Sequence, residues 1–181
     1  IARRQRQMCI RDRAGDVATL LMDKTGTITY GNRQATGLIV ASGVNEREAA
    51  AIARISSLAD ETPEGRSIVA WLTENYSLSS EGDAEARSAE VVPFSASTRM
   101  SGLDLAHRKL RKGAGDAVRK WVTEAGGTWP QEIEDSVTRI AQDGGTPLPV
   151  AVEESDGSRT VIAVVQLSDV VKPVSYTHLR A

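Results

Sequence analysis

The sequence predicts a mixed fold in which helices pack on a sheet, and three observations support it. A continuous apolar run at 17–22 has the length and composition of a strand that is buried on both faces. Two stretches, 45–58 and 62–76, combine helix-start signals with apolar residues at helical spacing. Two later apolar runs, 147–152 and 160–167, flank a turn and predict a pair of strands.

The individual elements follow from local signals. Asn45 with Glu48 three residues later resembles a capping box, which predicts a helix start. Thr62 followed by Pro63 predicts a second helix, because proline is tolerated in the first helical turn. The other predicted elements are short extended pieces at 28–44, a loop at 77–87, strands at 89–94, 101–105 and 107–112, and helices at 116–125 and from 130 to about 143.

The composition excludes several classes of protein. The 181 residues include 22 basic and 24 acidic side chains, so the formal charge of −2 argues against a nucleic-acid binder, which usually has a basic surplus. A single cysteine excludes a disulfide framework and a zinc site built from cysteines. No apolar run approaches the roughly 20 residues that cross a bilayer, so we expect this chain itself to be soluble.

The two ends differ from the middle. Residues 1–13 hold five arginines and one aspartate, and residues 174–181 continue no pattern seen before them. We interpret both tails as adapter-like, non-native sequence rather than as a basic arm that contacts phosphates or lipid, and exclude them from the fold. Without their six basic residues and one acidic residue, residues 14–173 carry a formal charge of about −7.

The most informative segment follows the first apolar run and has the sequence Asp-Lys-Thr-Gly-Thr-Ile-Thr, residues 23–29. A carboxylate exposed at the end of a strand, such as Asp23, can attack the γ-phosphorus of ATP and form an aspartyl phosphate. Lys24, main-chain N–H groups and Mg²⁺ would neutralise the phosphate oxygens. The alternative is a polar loop that has this sequence by coincidence. Agreement with a known motif at seven consecutive residues argues against coincidence.

This heptapeptide resembles the phosphorylation signature of the P-type ATPases. The resemblance implies a nucleotide-binding domain inserted into a phosphorylation domain that is similar to the haloacid dehalogenase fold. It also implies catalytic roles for Asp23, Lys24 and Thr25, with Asp23 and Thr25 near Mg²⁺. The related aspartyl phosphatases have a second aspartate where this chain has Thr25, so rapid hydrolysis of the phosphoenzyme is not expected.

Three further segments, 60–69, 93–102 and 111–114, resemble the catalytic subunit of Kdp-type potassium-importing ATPases. The implied fold class is α/β and α+β, an antiparallel sheet with flanking helices inserted into an incomplete haloacid-dehalogenase-like domain. The implied boundaries are 14–34 for the first part of the phosphorylation domain, 35–153 for the nucleotide-binding domain and 154–173 for the return into the phosphorylation domain.

The same resemblance implies an adenine pocket. Phe94, the only phenylalanine of the chain, would stack on adenine, although a lone aromatic residue after a strand is also typical of a core. The stem of Lys112 would cover the other face of the base, with Gly113 allowing close approach; a solvated lysine is the alternative. Further pocket residues, each of which could instead be a solvated residue or a helix cap, are Asp60, Glu64, Ser101 and Asp116.

The resemblance therefore implies an ATP-driven potassium importer that uses ATP and Mg²⁺ at the cytoplasmic face of the bacterial plasma membrane. Its expected partners are the channel-like and accessory subunits of a Kdp-type complex, with no nucleic acid. Contact with the membrane would occur only through transmembrane helices that this sequence does not contain. Two alternatives stay open: an ATP-binding module without turnover, and a phosphatase of the haloacid dehalogenase type.

Overall fold

The computed structural model describes residues 19, 21, 23–78, 80 and 82–172. The chain divides into two compact units, one formed by the residues up to Gly31 together with those from Val171 onward, and the other by Asn32–Val170. The second unit therefore extends beyond residue 153, and the assignment of 14–34 and 154–173 to a phosphorylation domain stays a prediction. Both terminal tails lie outside the described residues. No helix in the described part is long and apolar enough to cross a membrane.

The described residues form one sheet of six strands in the order β1-β6-β5-β4-β3-β2. The neighbouring pairs from β2 to β6 are antiparallel, as the sequence prediction required. Strand β2 lies at one edge of the sheet, which leaves one side of its main chain without a neighbouring strand. The strands are β1 Thr29–Val40, β2 Glu90–Val92, β3 Met100–Asp104, β4 Lys109–Gly113, β5 Thr146–Glu153 and β6 Arg159–Val171.

Side-chain caps begin the first two helices where the sequence predicted. The Asn45 side chain accepts a hydrogen bond from the Glu48 N–H at 3.1 Å, and the Thr62 hydroxyl accepts one from the Gly65 N–H at 3.0 Å. Each cap satisfies a main-chain donor that the helix leaves without a partner. The helices are α1 Glu46–Ile55, α2 Pro63–Tyr76, α3 Asp83–Ser88, α4 Gly115–Glu124 and α5 Gln131–Gln142.

Two apolar clusters cover the two faces of the sheet. Successive residues of a strand point to opposite faces, so Val150 and Val152 of β5 join one cluster while Ala151 joins the other. The first cluster contains residues of α1 and α2, including the fully buried Leu72. The second contains residues of α4 and α5. The central strands are therefore buried on both faces, which explains their continuous apolar sequences.

The structure differs from the sequence prediction in three elements. Residues 29–40 form one continuous strand rather than short pieces, because main-chain pairing in the sheet does not depend on side chains and tolerates the intervening glycines. Part of the predicted loop at 77–87 belongs to the short helix α3. The strand predicted at 89–94 has only three residues, since the chain leaves the sheet edge before Pro93, which lacks a main-chain donor.

The apolar run at 17–22 was predicted to be a buried strand. Most of it lies outside the described residues. At the two described positions, Thr19 and Leu21, the chain forms no regular element, and Leu21 is 93% exposed. A strand becomes buried only when other elements cover both of its faces, and the described residues place none over Leu21.

Candidate functional site

A surface cavity of about 280 Å³ lies beside the edge strand β2. Three segments that are distant in sequence form it: the turn between α1 and α2, the chain from β2 to Phe94, and the start of β3. The antiparallel pairing of β2 with β3 brings two of these segments together, and the packing of α1 and α2 on the sheet adds the third. The lining residues are Ser56, Ala59, Asp60, Glu61, Thr62, Val91, Val92, Pro93, Phe94, Ser101 and Gly102.

Phe94 lies at this cavity with most of its side chain in solvent. It is 66% exposed, so the alternative that it is a core residue is wrong. An exposed aromatic ring offers a face on which a planar group can stack, and the ring loses apolar contact with water when that happens. The neighbouring Val91 is also exposed, at 48%, and extends the apolar surface beside the ring.

Lys112 is buried beneath the turn that carries Asp60. Its side chain is 3% exposed, and its Nζ donates hydrogen bonds to the Asp60 Oδ2 at 2.7 Å and the Ser57 Oγ at 2.9 Å. The alternative of a solvated lysine is therefore wrong. Lys112 does not line the cavity, whereas Asp60 does. The contribution of Lys112 in this structure is therefore to hold Asp60 in place.

Asp60 is held as a charged acceptor. Its Oδ1 accepts hydrogen bonds from the Thr62 N–H at 3.1 Å and from the Thr62 hydroxyl at 2.6 Å, while its Oδ2 accepts from Lys112. Burial by itself raises the pKa of Asp60, but the hydrogen bonds from Lys112 and Thr62 outweigh it and leave this pKa lowered. Burial also lowers the pKa of Lys112, and the contact with Asp60 opposes that shift. The two groups stabilise each other's charge.

The glycine of the segment Thr62-Pro63-Glu64-Gly65 has a packing role. A Cβ at Gly65 would lie 2.5 Å from the Asp60 Cγ, so only glycine lets α2 approach the carboxylate this closely. Glu64, predicted to belong to the pocket, lies in the first turn of α2 and is half-buried, but it does not line the cavity.

Ser101 and Gly113 lie on adjacent strands but differ in surroundings. Ser101 lines the cavity and pairs with Lys112 across β3 and β4. A Cβ at Gly113 would lie 2.3 Å from the Arg99 carbonyl oxygen, so the missing side chain makes room for main chain. The structure thus gives Gly113 a role in strand packing, in contrast to the predicted role of admitting a base.

Asp116 lies outside the cavity at Phe94. It is in the first turn of α4 and forms an ion pair with Arg99, whose hydrogen bond lowers the pKa of this exposed carboxyl group. Both residues line a second cavity of about 350 Å³, together with Lys120 and Trp121. The structure therefore does not bring Asp116 together with Phe94, because α4 packs in the second apolar cluster, whereas α1 and α2, whose connecting turn carries Asp60, pack in the first.

Two residues of the site were not anticipated from the sequence. Ser57 is buried and accepts a hydrogen bond from Lys112, 55 positions away, and no local pattern could have indicated this contact. Thr62 was expected only at the start of a helix; its hydroxyl accepts from the Gly65 N–H as a cap and also donates to Asp60. The short spacing between Asp60 and Thr62, typical of an Asx-turn, was the available signal.

The segment that begins at Asp23 belongs to the other compact unit. Asp23 is exposed and precedes a single turn of π-helix, Lys24–Ile28, for which its side chain makes no capping hydrogen bond. The buried Thr29 closes the turn: its hydroxyl donates to the Lys24 carbonyl oxygen at 3.2 Å and accepts from the Gly26 N–H at 3.4 Å. The carboxylate is therefore accessible at the start of an ordered turn. The side chain of Thr25 lies outside the described part.

A metal site built by protein side chains alone is not seen in the described residues, which hold no group of three His, Cys, Asp or Glu side chains placed to bind a metal ion. Asp23 supplies one exposed carboxylate. That donor suits Mg²⁺, which is commonly bound through one or two carboxylates, with waters and substrate phosphates completing its coordination.

Sequence comparison identifies close relatives. The chain is 55% identical over 159 residues to the potassium-transporting ATPase ATP-binding subunit of Streptomyces coelicolor. It is 53% and 51% identical, over the same length, to the subunits of that name from Erwinia tasmaniensis and Listeria welshimeri. Over these residues the chain is similar to that subunit. The match covers 88% of the chain and 22% of each relative, so the chain spans about a fifth of their length. No protein-family model matches the chain.

Solved structures agree on the fold. A crystal structure of a zinc-transporting PIB-type ATPase matches 87% of the chain and 22% of its own length, with a TM-score of 0.65 and 17% identity. The catalytic domain of the CPx-ATPase CopB-B matches 94% of the chain and 51% of its own length, with a TM-score of 0.53 and 16% identity. The predicted antiparallel sheet with flanking helices is thus confirmed as a P-type ATPase fold; its insertion into a haloacid-dehalogenase-like domain stays a prediction.

Proposed function

We propose that this chain is the part of a potassium-transporting ATPase that binds ATP and carries the aspartate to which the γ-phosphate is transferred. The observation that supports ATP binding best is the exposed Phe94 beside a carboxylate, Asp60, that a buried lysine holds in place. The names of the relatives support the same function.

In the proposed complex, adenine stacks on the ring of Phe94. Such stacking of a base on an aromatic side chain contributes about 1–3 kcal/mol in nucleic-acid complexes. Asp60 provides carboxylate oxygens at the cavity, which accept hydrogen bonds and so favour a group that donates them, such as the amino group of adenine or a ribose hydroxyl. Ser101 adds a hydroxyl on the neighbouring strand. Because Lys112 already holds Asp60 in place, ordering this side chain costs little free energy when the nucleotide binds.

The proposed chemistry takes place at Asp23. A carboxylate oxygen of Asp23 attacks the γ-phosphorus, a new P–O bond forms, and the bond between the γ-phosphorus and the β,γ-bridging oxygen breaks, so that ADP leaves. Lys24 offers positive charge to the phosphate oxygens. Mg²⁺, when bound by Asp23 and the phosphates, neutralises further charge; a role for Thr25 in holding it remains part of the proposal.

Thr25 stands where a phosphatase has its second aspartate. A threonine cannot remove the proton from an attacking water at neutral pH, so the aspartyl phosphate persists long enough to be coupled to another process. In the proposal that process is potassium import, with the channel-like and accessory subunits of a Kdp-type complex as partners, at the cytoplasmic face of the bacterial plasma membrane. The phosphatase alternative is disfavoured for the same reason.

A stand-alone ATP-binding module is the second candidate function of this chain. One observation favours it: every residue that lines the cavity at Phe94 belongs to the compact unit Asn32–Val170, so binding does not need Asp23. The two candidates are compatible, because binding is the first step of phosphoryl transfer.

Titrating ATP into the isotope-labelled chain tests the proposal by NMR. We expect saturable shifts of amides near Phe94, Asp60 and Ser101, and smaller shifts at the turn 155–158, which joins β5 to β6 and does not line the cavity. Adenosine should perturb the same amides, since the base makes the proposed contacts. Shifts spread evenly over the chain, or none near Phe94, would show that this cavity is not the nucleotide site.

A further inference from the structure

Lys172 contacts the turn that follows Asp23, although 146 positions separate it from Gly26. Its Nζ donates a hydrogen bond to the Gly26 carbonyl oxygen at 2.6 Å, and its main-chain N–H donates to the Ile28 carbonyl oxygen at 2.9 Å. All of these residues belong to the same compact unit. Two carbonyl groups of one short turn are therefore held by a single residue from the other end of the chain.

The peptide group that follows Gly26 is thereby fixed in direction. The Gly26 N–H donates a hydrogen bond to the Thr29 hydroxyl, and the Gly26 carbonyl accepts one from Lys172. Both main-chain polar groups of this glycine are therefore hydrogen-bonded. Gly26 has a φ of +81°, a left-handed conformation that only glycine adopts without strain. Without side-chain constraints of its own, this position depends on its hydrogen bonds to stay in one conformation.

The direction of that carbonyl also sets the direction of a donor. In a planar trans peptide, the C=O of one residue and the N–H of the next point to opposite sides. When Lys172 holds the Gly26 oxygen, the Thr27 N–H points away from Lys172. Main-chain N–H groups of tight turns are common ligands of phosphate oxygens, so the orientation of this donor affects how the turn receives an anion.

A second glycine supports the same arrangement. Gly31 has a φ of +87°, and a Cβ at this position would lie 3.2 Å from the Gly26 Cα. The main chain thus returns past the turn at close range. The close approach of Gly31 and the hydrogen bond from the Thr29 hydroxyl restrict the turn. Lys172 adds a hydrogen bond to the Gly26 carbonyl oxygen.

From these contacts we infer that Lys172 is a positioning residue for phosphoryl transfer, which holds the turn after Asp23 in the conformation that receives the phosphoryl group. This inference rests on the proposed function of Asp23. Lys172 would act through the turn and would not contact the nucleotide, so its loss should slow transfer and leave nucleotide binding unchanged.

The test uses a chimeric pump in which residues 14–173 of this chain replace the corresponding segment of the Streptomyces coelicolor relative. Rapid-quench labelling with γ-labelled ATP gives the rate of phosphoenzyme formation and its dependence on ATP concentration. Lys172→Met removes the donor and keeps the length of the side chain, and we expect about tenfold slower transfer with an unchanged KM for ATP, as for loss of a hydrogen bond from a charged donor. Lys172→Arg, which retains a charged donor, should restore most of the rate.

Each result has a defined meaning. A Lys172→Met rate equal to that of the unaltered chimera, or an arginine variant no faster than the methionine variant, would overturn the inference. Absence of label in the unaltered chimera would instead refute the proposed function of Asp23. Hydrogen exchange of the 181-residue chain gives an independent measure: the amides of residues 26–29 should exchange faster in Lys172→Met, and unchanged exchange would count against positioning.

Discussion

The turn after Asp23 and the cavity at Phe94 are built in opposite ways. The turn has internal hydrogen bonds within seven consecutive residues, through the Thr29 hydroxyl, and Lys172 adds two from a distant part of the chain. The cavity takes its residues from three segments that meet only after the sheet has formed. A site of the first kind can be recognised as a sequence motif, whereas a site of the second kind is recognised only as scattered fragments whose arrangement the fold supplies.

The largest effect is expected from removing Asp23, the proposed nucleophile. Asp23→Ala in the chimeric pump should abolish acid-stable label from γ-labelled ATP, because no other carboxylate of the segment 23–29 can replace it. ATP binding by the 181-residue chain, followed by NMR shifts near Phe94, should be unchanged in the same variant, since Asp23 does not line the cavity. Label that survives the substitution would exclude Asp23 as the site of phosphorylation.

The next largest effect is expected from the buried ion pair. Lys112→Met leaves the Asp60 carboxylate without its charged partner, and we expect a loss of about 3 kcal/mol in the free energy of unfolding, near the lower end for buried pairs because Asp60 is partly exposed. Chemical denaturation measures this.

Lys109 on the same strand provides the matched control. Its Nζ pairs with Glu153 at 2.7 Å, but its side chain is 46% exposed. Lys109→Met should therefore cost less than about 1 kcal/mol, as exposed ion pairs do. Equal losses in the two variants would show that burial of Lys112 has no special energetic role.

A smaller effect, confined to binding, is expected from the exposed ring. Phe94→Ala should weaken ATP binding by about 1–3 kcal/mol, the range for base–aromatic stacking, and change the free energy of unfolding by less than about 0.5 kcal/mol because the ring is mostly in solvent. Calorimetric titration and denaturation measure the two quantities. Tyr30→Ala is the control, since Tyr30 is 51% exposed and does not line the cavity; equal weakening of binding in both variants would argue against stacking on Phe94.

A further effect, visible only as a dependence of stability on pH, is expected from the protonation of Asp60. Its pKa is lowered in the folded protein, so its charged form stabilises the fold above its ordinary pKa of 3.8, and this contribution is lost as the pH falls through the lowered value. Asp60→Asn lacks the contribution at every pH. The difference in free energy of unfolding between the two proteins should therefore be largest near pH 7 and shrink below about pH 4. A difference that is constant across this range would contradict the assignment.

Much of the fold follows from local sequence signals. The caps at Asn45 and Thr62 begin helices where predicted, because capping depends on residues three positions apart. The strand lengths were less predictable: β1 continues through its glycines and β2 stops after three residues, since main-chain pairing with neighbouring strands decides both. The exposed Leu21 shows the same limit, because apolar composition predicts burial only when other elements are present to cover it.

Some of the expected site residues lie where the sequence predicted, and others do not. Asp60, Phe94 and Ser101 lie together at one cavity as expected, whereas Asp116 lies at another and Glu64 lines neither. Lys112 was expected at the nucleotide and instead lies beneath Asp60. A motif suggests candidate residues, but which of them meet at one cavity depends on strand register and on helix packing.

The sequence by itself indicated the motif at 23–29, the resemblance to potassium-transporting ATPase subunits, and the alternation of strands and helices, because each depends on residues that are adjacent or regularly spaced. Only the tertiary structure decided that Phe94 is exposed, that Lys112 is buried against Asp60 and Ser57, and that Lys172 holds the carbonyl of Gly26. These contacts join positions 52 to 146 apart in the chain, and hydrogen bonds of that kind form only where the folded main chain brings donor and acceptor within reach.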